Sequence, residues 1–296
     1  AQAAGNRRHL VNLAHDPHRG LIFACGTPGI EVYEHSGNSL SLLNDVRGKI
    51  EHLALGDAGL LAASSRGRSP RDGTELSAMG LYLYDTTDPA NPTRLSYTVY
   101  DDASGVAVVD SLAYLLSHDG KLRTIDIADP ENPSLLHTLE GLGNPWEIIV
   151  EGDYAYVADN SLGVVTISLQ NPSSPVLASS TPTTGGAQDI TYQNGFIYTA
   201  VGSAGIEVFK LDNPAQPTPA AKLELGGAII SVSAGTNLLW ATNQESVLVV
   251  DVTDPANPVP NGVEDNLSWA MHVVAFEGDG YVADWKTVNA YAYDAS

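Results

Sequence analysis

Residues 146–181 read WEIIVEGDYAYVADNSLGVVTISLQNPSSPVLASST, and this stretch decides the fold. Residues 147–151 (EIIVE) make a short apolar strand that ends at a Gly152-Asp153 turn. Residues 154–159 (YAYVAD) alternate and are rich in Tyr and Val, and 163–169 (GVVTISL) make a third strand. After NPSSP, residues 176–181 (VLASST) supply a fourth. Short alternating runs between tight turns predict an antiparallel meander, and helical spacing at i, i+3, i+4, i+7 is absent.

The turn recurs. TTDPANP (86–92), IADPENP (127–133), LQNPSSP (169–175), LDNPAQP (211–217) and VTDPANP (252–258) are copies of one motif, with first prolines at Pro89, Pro130, Pro172, Pro214 and Pro255. The spacings are 41, 42, 42 and 41 residues, and ten of the seventeen prolines lie in the motif. An Asp or Asn there can bond its own backbone two residues on. The second proline opens the fourth strand, which must then be an outer edge where a missing donor faces water.

Seven units of 42 residues make 294, against 296 in the chain. The units fall at roughly 9–47, 50–100, 103–142, 145–184, 187–226, 229–265 and 270–293. The second carries an insertion near 65–78, and the last stops after its third strand. Such units cannot bury both faces alone, so they must stack. The expectation is an all-β, single-domain, seven-bladed β-propeller of four-stranded antiparallel blades; the missing outer strand of the last is either residues 1–8, a poor strand by propensity, or a strand cut off from this sequence.

The pattern GDYAYVAD followed by GVVTISLQNPSSPVL resembles the LVIVD-repeat proteins. The resemblance covers nearly the whole chain and is strongest in units 3 to 6. It implies a β-propeller in an extracytoplasmic setting: periplasmic, secreted or on the cell surface. It carries over no catalytic motif, and a fold does not fix a function.

Composition narrows the partners. Fourteen Lys and Arg against 35 Asp and Glu give a net charge of −21, which argues against nucleic acid. One cysteine, Cys25, rules out an intramolecular disulfide and a cysteine zinc cage; its place at the end of LIFAC predicts an inert buried thiol. No run approaches the ~18 apolar residues of a transmembrane segment. HExxH, GxSxG, Walker and calcium-loop motifs are absent.

In a propeller, the loops before each innermost strand and between strands two and three surround one mouth of the axial channel. Alignment on YAYVAD puts His9, Glu51, Ser104, Gln188, Ile230 and Met271 level with Trp146, and Leu10, His52, Gly105, Asp189, Ser231 and His272 level with Glu147. Three constellations follow. His9, His52, His118 and His272 fall on neighbouring units of a closed ring and can hold Zn, Cu or Fe; the alternative is histidines that hydrogen-bond backbone at blade junctions. Arg66, Arg68 and Arg71 can bind an anion, or can pair with the surplus carboxylates. Glu147, Asp189 and Glu51 with Trp146 and Trp285 suit a sugar- or cation-binding mouth, while a carboxylate at that level also suits backbone N–H groups of the next blade. The leading expectation is a binding module for a small-molecule, protein or glycan ligand; a further option is a scaffold within a surface assembly that uses its outer edges. The alternative is a metal-dependent enzyme at the four histidines.

Overall fold

A computed structural model describes residues 9–36, 39–67 and 78–293. The first unit is β1 (Leu10–Asp16), β2 (Leu21–Gly26), β3 (Gly29–Ser36) and β4 (Ser39–Arg47). The second is β5 (His52–Leu55), β6 (Leu60–Ser65), β7 (Gly80–Asp85) and β8 (Thr93–Val99). Then come β9 (Ala103–Val109), β10 (Leu112–Ser117), β11 (Lys121–Asp126) and β12 (Ser134–Glu140). The fourth unit is β13 (Pro145–Glu151), β14 (Tyr154–Asp159), β15 (Gly163–Ser168) and β16 (Val176–Thr181). The fifth is β17 (Asp189–Gln193), β18 (Phe196–Ala200), β19 (Ile206–Lys210) and β20 (Thr218–Leu223). The chain ends with β21 (Ser231–Gly235), β22 (Leu238–Thr242), β23 (Gln244–Asp251), β24 (Val259–Phe276), β25 (Asp279–Asp284) and β26 (Thr287–Ala292).

The expected seven separate four-stranded blades are not what the described residues form. Five sheets are four-stranded blades, and a sixth sheet has six strands in the order β21-β22-β23-β24-β25-β26. The reason lies in β24. Its first part pairs with β23 from Val259 to Asp265, and its second part pairs with β25 from Ala270 to Phe276. The four residues between these parts, 266–269, contain no Pro or Gly, so nothing stops the strand where a unit boundary was expected. The suggested closing strand, residues 1–8, lies outside the described residues, as does 68–77 of the insertion.

The turn chemistry is as the sequence predicts. Asp88, Asp129, Asn213 and Asp254 each accept the amide two residues on through a side-chain oxygen, at 3.0–3.2 Å. Each second proline immediately precedes a fourth strand, and the fourth strands are largely exposed. The first strands face one axis, β1 against β5, β5 against β9, and onward through β13, β17 and β21 to β24, which returns to β1. Apolar cores fill the wedges between sheets. One wedge joins Tyr114 and Leu116 to Ile148 and Val157; another joins Leu10 and Ile22 to Tyr281 and Val288 and closes the ring. Tyrosines at the third position of the second strand tie neighbouring blades together: Tyr114 donates its hydroxyl to Pro172 O (3.1 Å), and Tyr156 to Pro214 O (2.9 Å). Among the described residues no helix is long and apolar enough to cross a membrane.

Candidate functional site

Four of the innermost strands, β1, β9, β13 and β24, share a defect. In β13, Pro145 pairs with Asp159 and Glu147 with Ala158, leaving Trp146 as an extra residue; Val11 in β1 and Met271 in β24 are extra in the same way. Two residues then oppose one, and the strict in–out alternation of a strand is lost. At three of these bulges adjacent side chains both line the axial mouth, Val11 with Asn12, Trp146 with Glu147 and Met271 with His272, and so do Glu51 with His52 and Gln188 with Asp189 where β5 and β17 begin. The cavity they enclose has a volume of about 420 Å³. A second cavity of about 400 Å³ continues below it along the apolar inner strands, and Asn12, Glu147, Asp189 and His272 border both.

The level of Glu147 carries a repeated structural task. Asn12 Oδ1 accepts the amide of Leu53 (3.2 Å), Asp189 Oδ2 that of Val232 (2.9 Å), Ser231 Oγ that of Val273 (3.2 Å), and His272 Nδ1 that of Leu13 (3.3 Å). Each acceptor lies on one inner strand, and each donor follows the equivalent position on the next. These bonds clamp neighbouring strands together and satisfy the amides that face the channel. The histidine and the carboxylate thus make the backbone bonds at junctions that their residue types also suited in the sequence.

Three positions at this level leave the pattern: His52, Gly105 and Glu147. Glu147 Oε1 accepts its own neighbour's amide, Ile148 N (3.1 Å), and its Oε2 lies 2.8 Å from His52 Nδ1. The pair reaches across β9, where Gly105 offers no side chain. A Cβ on Gly105 would sit 2.6 Å from Trp146 O and 3.2 Å from Glu147 Oε1. Gly105→Ala is therefore expected to push β13 outward and loosen the His52–Glu147 pair, at a cost of about 1–3 kcal/mol for overpacking. Urea unfolding measures the cost, and the His52 pKa read by NMR should fall; a variant with unchanged stability and His52 titration would refute this role for the glycine.

Electrostatics follow from burial and pairing. Burial alone would lower the His52 pKa and raise that of Glu147, but each outweighs it on the other: His52 is held above 6.5 and Glu147 below 4.5. Burial pushes the Asp189 carboxyl up, aided by Glu147 and opposed by His272. Burial pushes His272 down. Glu51 is held low against its own burial by Lys49 (2.9 Å) and Arg66 (2.6 Å).

The four histidines are not brought to one point. His52 and His272 stand at the cavity floor, while His9 lies higher and stacks on Trp285, ring centroids 4.1 Å apart. His118 lies behind the wall, edge-on to Trp146 at 5.2 Å, with Nδ1 2.8 Å from Asn144 Oδ1. Among the described residues, the set with metal-ligand spacing is Glu147, Asp189 and His272. Here the Leu13 amide donates to His272 Nδ1, so the ring proton belongs on Nε2, the atom 3.8 Å from Asp189 Oδ2. Zn, Cu or Fe would need that nitrogen's lone pair, with an acceptor and not a donor behind the ring. The three spend their hydrogen bonds elsewhere, on backbone amides and on His52.

The remaining candidates divide. Arg66 lies over Trp146, its guanidinium carbon 5.8 Å from the ring centroid, while Arg68 and Arg71 lie outside the described residues. Trp285 stacks between His9 and Trp269. Cys25 is buried, and burial, then Glu51 and Glu147, push its thiol well up, as an inert residue requires. Asn12 was missed because the β1–β2 turn, residues 17–20, is two residues longer than Gly152-Asp153. That offset moved His9 and Leu10 into the levels that Val11 and Asn12 occupy.

The LVIVD repeat family model matches residues 101–140 and 142–183. No curated protein matches the chain. Among solved structures, the β-propeller domain of Cps50 (Swd1) from Myceliophteria thermophila is 10% identical, covers 97% of this chain and 97% of its own, and has a TM-score of 0.78. U3-55K is 14% identical, with 94% and 89% coverage and a TM-score of 0.74. The WD40 β-propeller domain of Doa1 is 9% identical, with 98% and 95% coverage and a TM-score of 0.75. At these identities the likeness is one of fold alone.

Proposed function

The chain is an LVIVD-repeat β-propeller protein, and from that premise we propose that it is a binding module whose ligand is a small polar molecule, or the end of a larger one, held in the axial mouth. One observation carries this reading. The clamp made at the level of Glu147 by Asn12, Asp189, Ser231 and His272 is abandoned at His52, Gly105 and Glu147, where an imidazole–carboxylate pair spans a gap instead. A side chain that held the fold alone would keep the clamp. A buried ion pair stabilises little for its desolvation, so its place at a cavity floor points to recognition. The volume, about 420 Å³, suits a small ligand. The proposal includes the extracytoplasmic setting that the repeat family implies; the net charge of −21 keeps such a surface soluble.

Met271→Trp, which fills the mouth from its rim, tests the site. Purified protein is titrated with neutral oligosaccharides, short dicarboxylates and amino acids, and binding is followed by the rise in Tm. At least one compound should raise the Tm of the wild type and leave the variant unmoved. Equal shifts in both proteins, or none with any compound, would place binding elsewhere and end this reading.

A further inference from the structure

A column of stacked rings leads from the surface into the mouth. Trp269 stacks on Trp285 with centroids 4.6 Å apart, and Trp285 on His9 at 4.1 Å, both pairs within 15° of parallel. His9 borders the mouth. Trp269 ends the column and is 42% exposed, whereas most other exposed large apolar residues sit on the outer strands, far from the axis. Backbone bonds fix the column: Trp285 N donates to Trp269 O (3.3 Å), Trp269 N to Asp284 Oδ1 (3.1 Å), and Leu10 N to Trp285 O (2.9 Å). A tryptophan face held rigidly in water is a platform for an apolar ring face.

The mouth beside it is rich in charge but balanced. Glu51 pairs with Lys49 and Arg66, and Glu147 with His52, each within 3 Å, while Asp189 accepts the amides of Ile190 and Val232 and lies 3.8 Å from His272. A free anion meets carboxylates already in place, and a free cation meets occupied ones. A hydroxyl meets neither obstacle, because it donates and accepts at once. His52 Nε2 has no partner among the described residues, and the paired carboxylate oxygens keep lone pairs to accept with.

We propose that the ligand is a neutral carbohydrate, with a terminal sugar in the mouth against Glu147, Asp189, His52 and Trp146 and a sugar further along its chain stacked on Trp269. This rests on the mouth being the binding site and adds the ligand's class and its second contact. A sugar has hydroxyls on its rim and an apolar C–H face, which are the two surfaces that the mouth and the column complement.

Full-length protein applied to a glycan array, followed by calorimetric titration with the neutral oligosaccharide bound best, tests the class. Trp269→Ala is expected to weaken that oligosaccharide by roughly tenfold, to leave the Tm unchanged, and to leave the matching monosaccharide's affinity unchanged. Met271→Trp should abolish both. Binding only to sulfated or sialylated glycans, binding to no glycan, or no loss in Trp269→Ala would overturn the carbohydrate proposal. The broader reading of the mouth would still stand if a compound of another class bound the wild type and not Met271→Trp.

Discussion

Replacing His52 with leucine is expected to cost about 3 kcal/mol of folding stability, the low end of what removing one member of a buried pair costs. The histidine is 17% exposed in its side chain and Glu147 is 15% exposed, so the carboxylate left behind keeps little water and only the Ile148 amide. Leucine fills the space but offers no proton. His52→Leu with Glu147→Leu should recover most of the loss, because the cost belongs to the stranded charge and not to the missing attraction. Urea unfolding of the two single variants and the double supplies the cycle; a single-variant loss under about 1 kcal/mol would mean that water reaches Glu147 freely. The pair also has a pH window. His52 is raised in the folded state, so its contribution is complete below 6.5 and fades as pH climbs through the raised value. Glu147 is lowered, so its contribution is complete above 4.5 and fades as pH falls. The window is therefore pH 4.5 to 6.5, with losses on both sides.

Acid is expected to open the molecule first at the seam where β1 and β3 meet β24 and β25. His15 Nε2 lies 3.1 Å from His35 Nε2, and His35 Nδ1 lies 3.2 Å from the Tyr281 hydroxyl, with Phe276 against His15. Burial, and then His35, hold His15 down to about 4, against the opposite pull of Asp16. His272 is also held down, and its Nδ1 must stay unprotonated to accept the Leu13 amide across the same seam. Glu277 and Asp279 lie near Tyr281, on the loop side of the cluster. For a histidine lowered in the folded state, stability is complete above 6.5 and is lost as pH falls toward the folded value. Hydrogen exchange at β1 and β25 should therefore rise between pH 6.5 and 4, ahead of exchange at β13 and β14. His272→Asn is the informative variant, since Asn12 already performs the same clamp with an amide oxygen that does not titrate in this range. With His15→Gln added, the seam's acid loss should shrink; superimposable wild-type and double-variant curves would show that these histidines do not set it.

The sequence made the blade legible because its punctuation is chemical. The Asp or Asn and the two prolines of the DPANP-type turn each do one physical thing, and five copies repeat it. It misled at the C-terminal end because a unit boundary was inferred from spacing where no turn residue marks one; β24 runs through 266–269 unbroken. Glu147, Asp189, His52 and Trp146 were legible as mouth residues because equivalent positions in the repeat differ in type. Asn12 was hidden by two extra turn residues, and Trp269 by falling between the bounds of two units, 229–265 and 270–293. Gly105 was visible only as a gap at its level. A sequence does not announce that the absence of a side chain lets two others meet.

The continuous β24 sets how this protein divides into modules. Cuts at 142–145 or 184–187 fall between sheets, so a segment bounded there leaves whole blades on both sides. A cut at 266–269 instead divides one continuous strand and breaks the Gln244–Ala270 pairing that ties β23 to the half of β24 lying on β25. The copied unit of sequence and the separable unit of architecture coincide along most of the chain and diverge at its end, where two copies can be exchanged or transplanted only together.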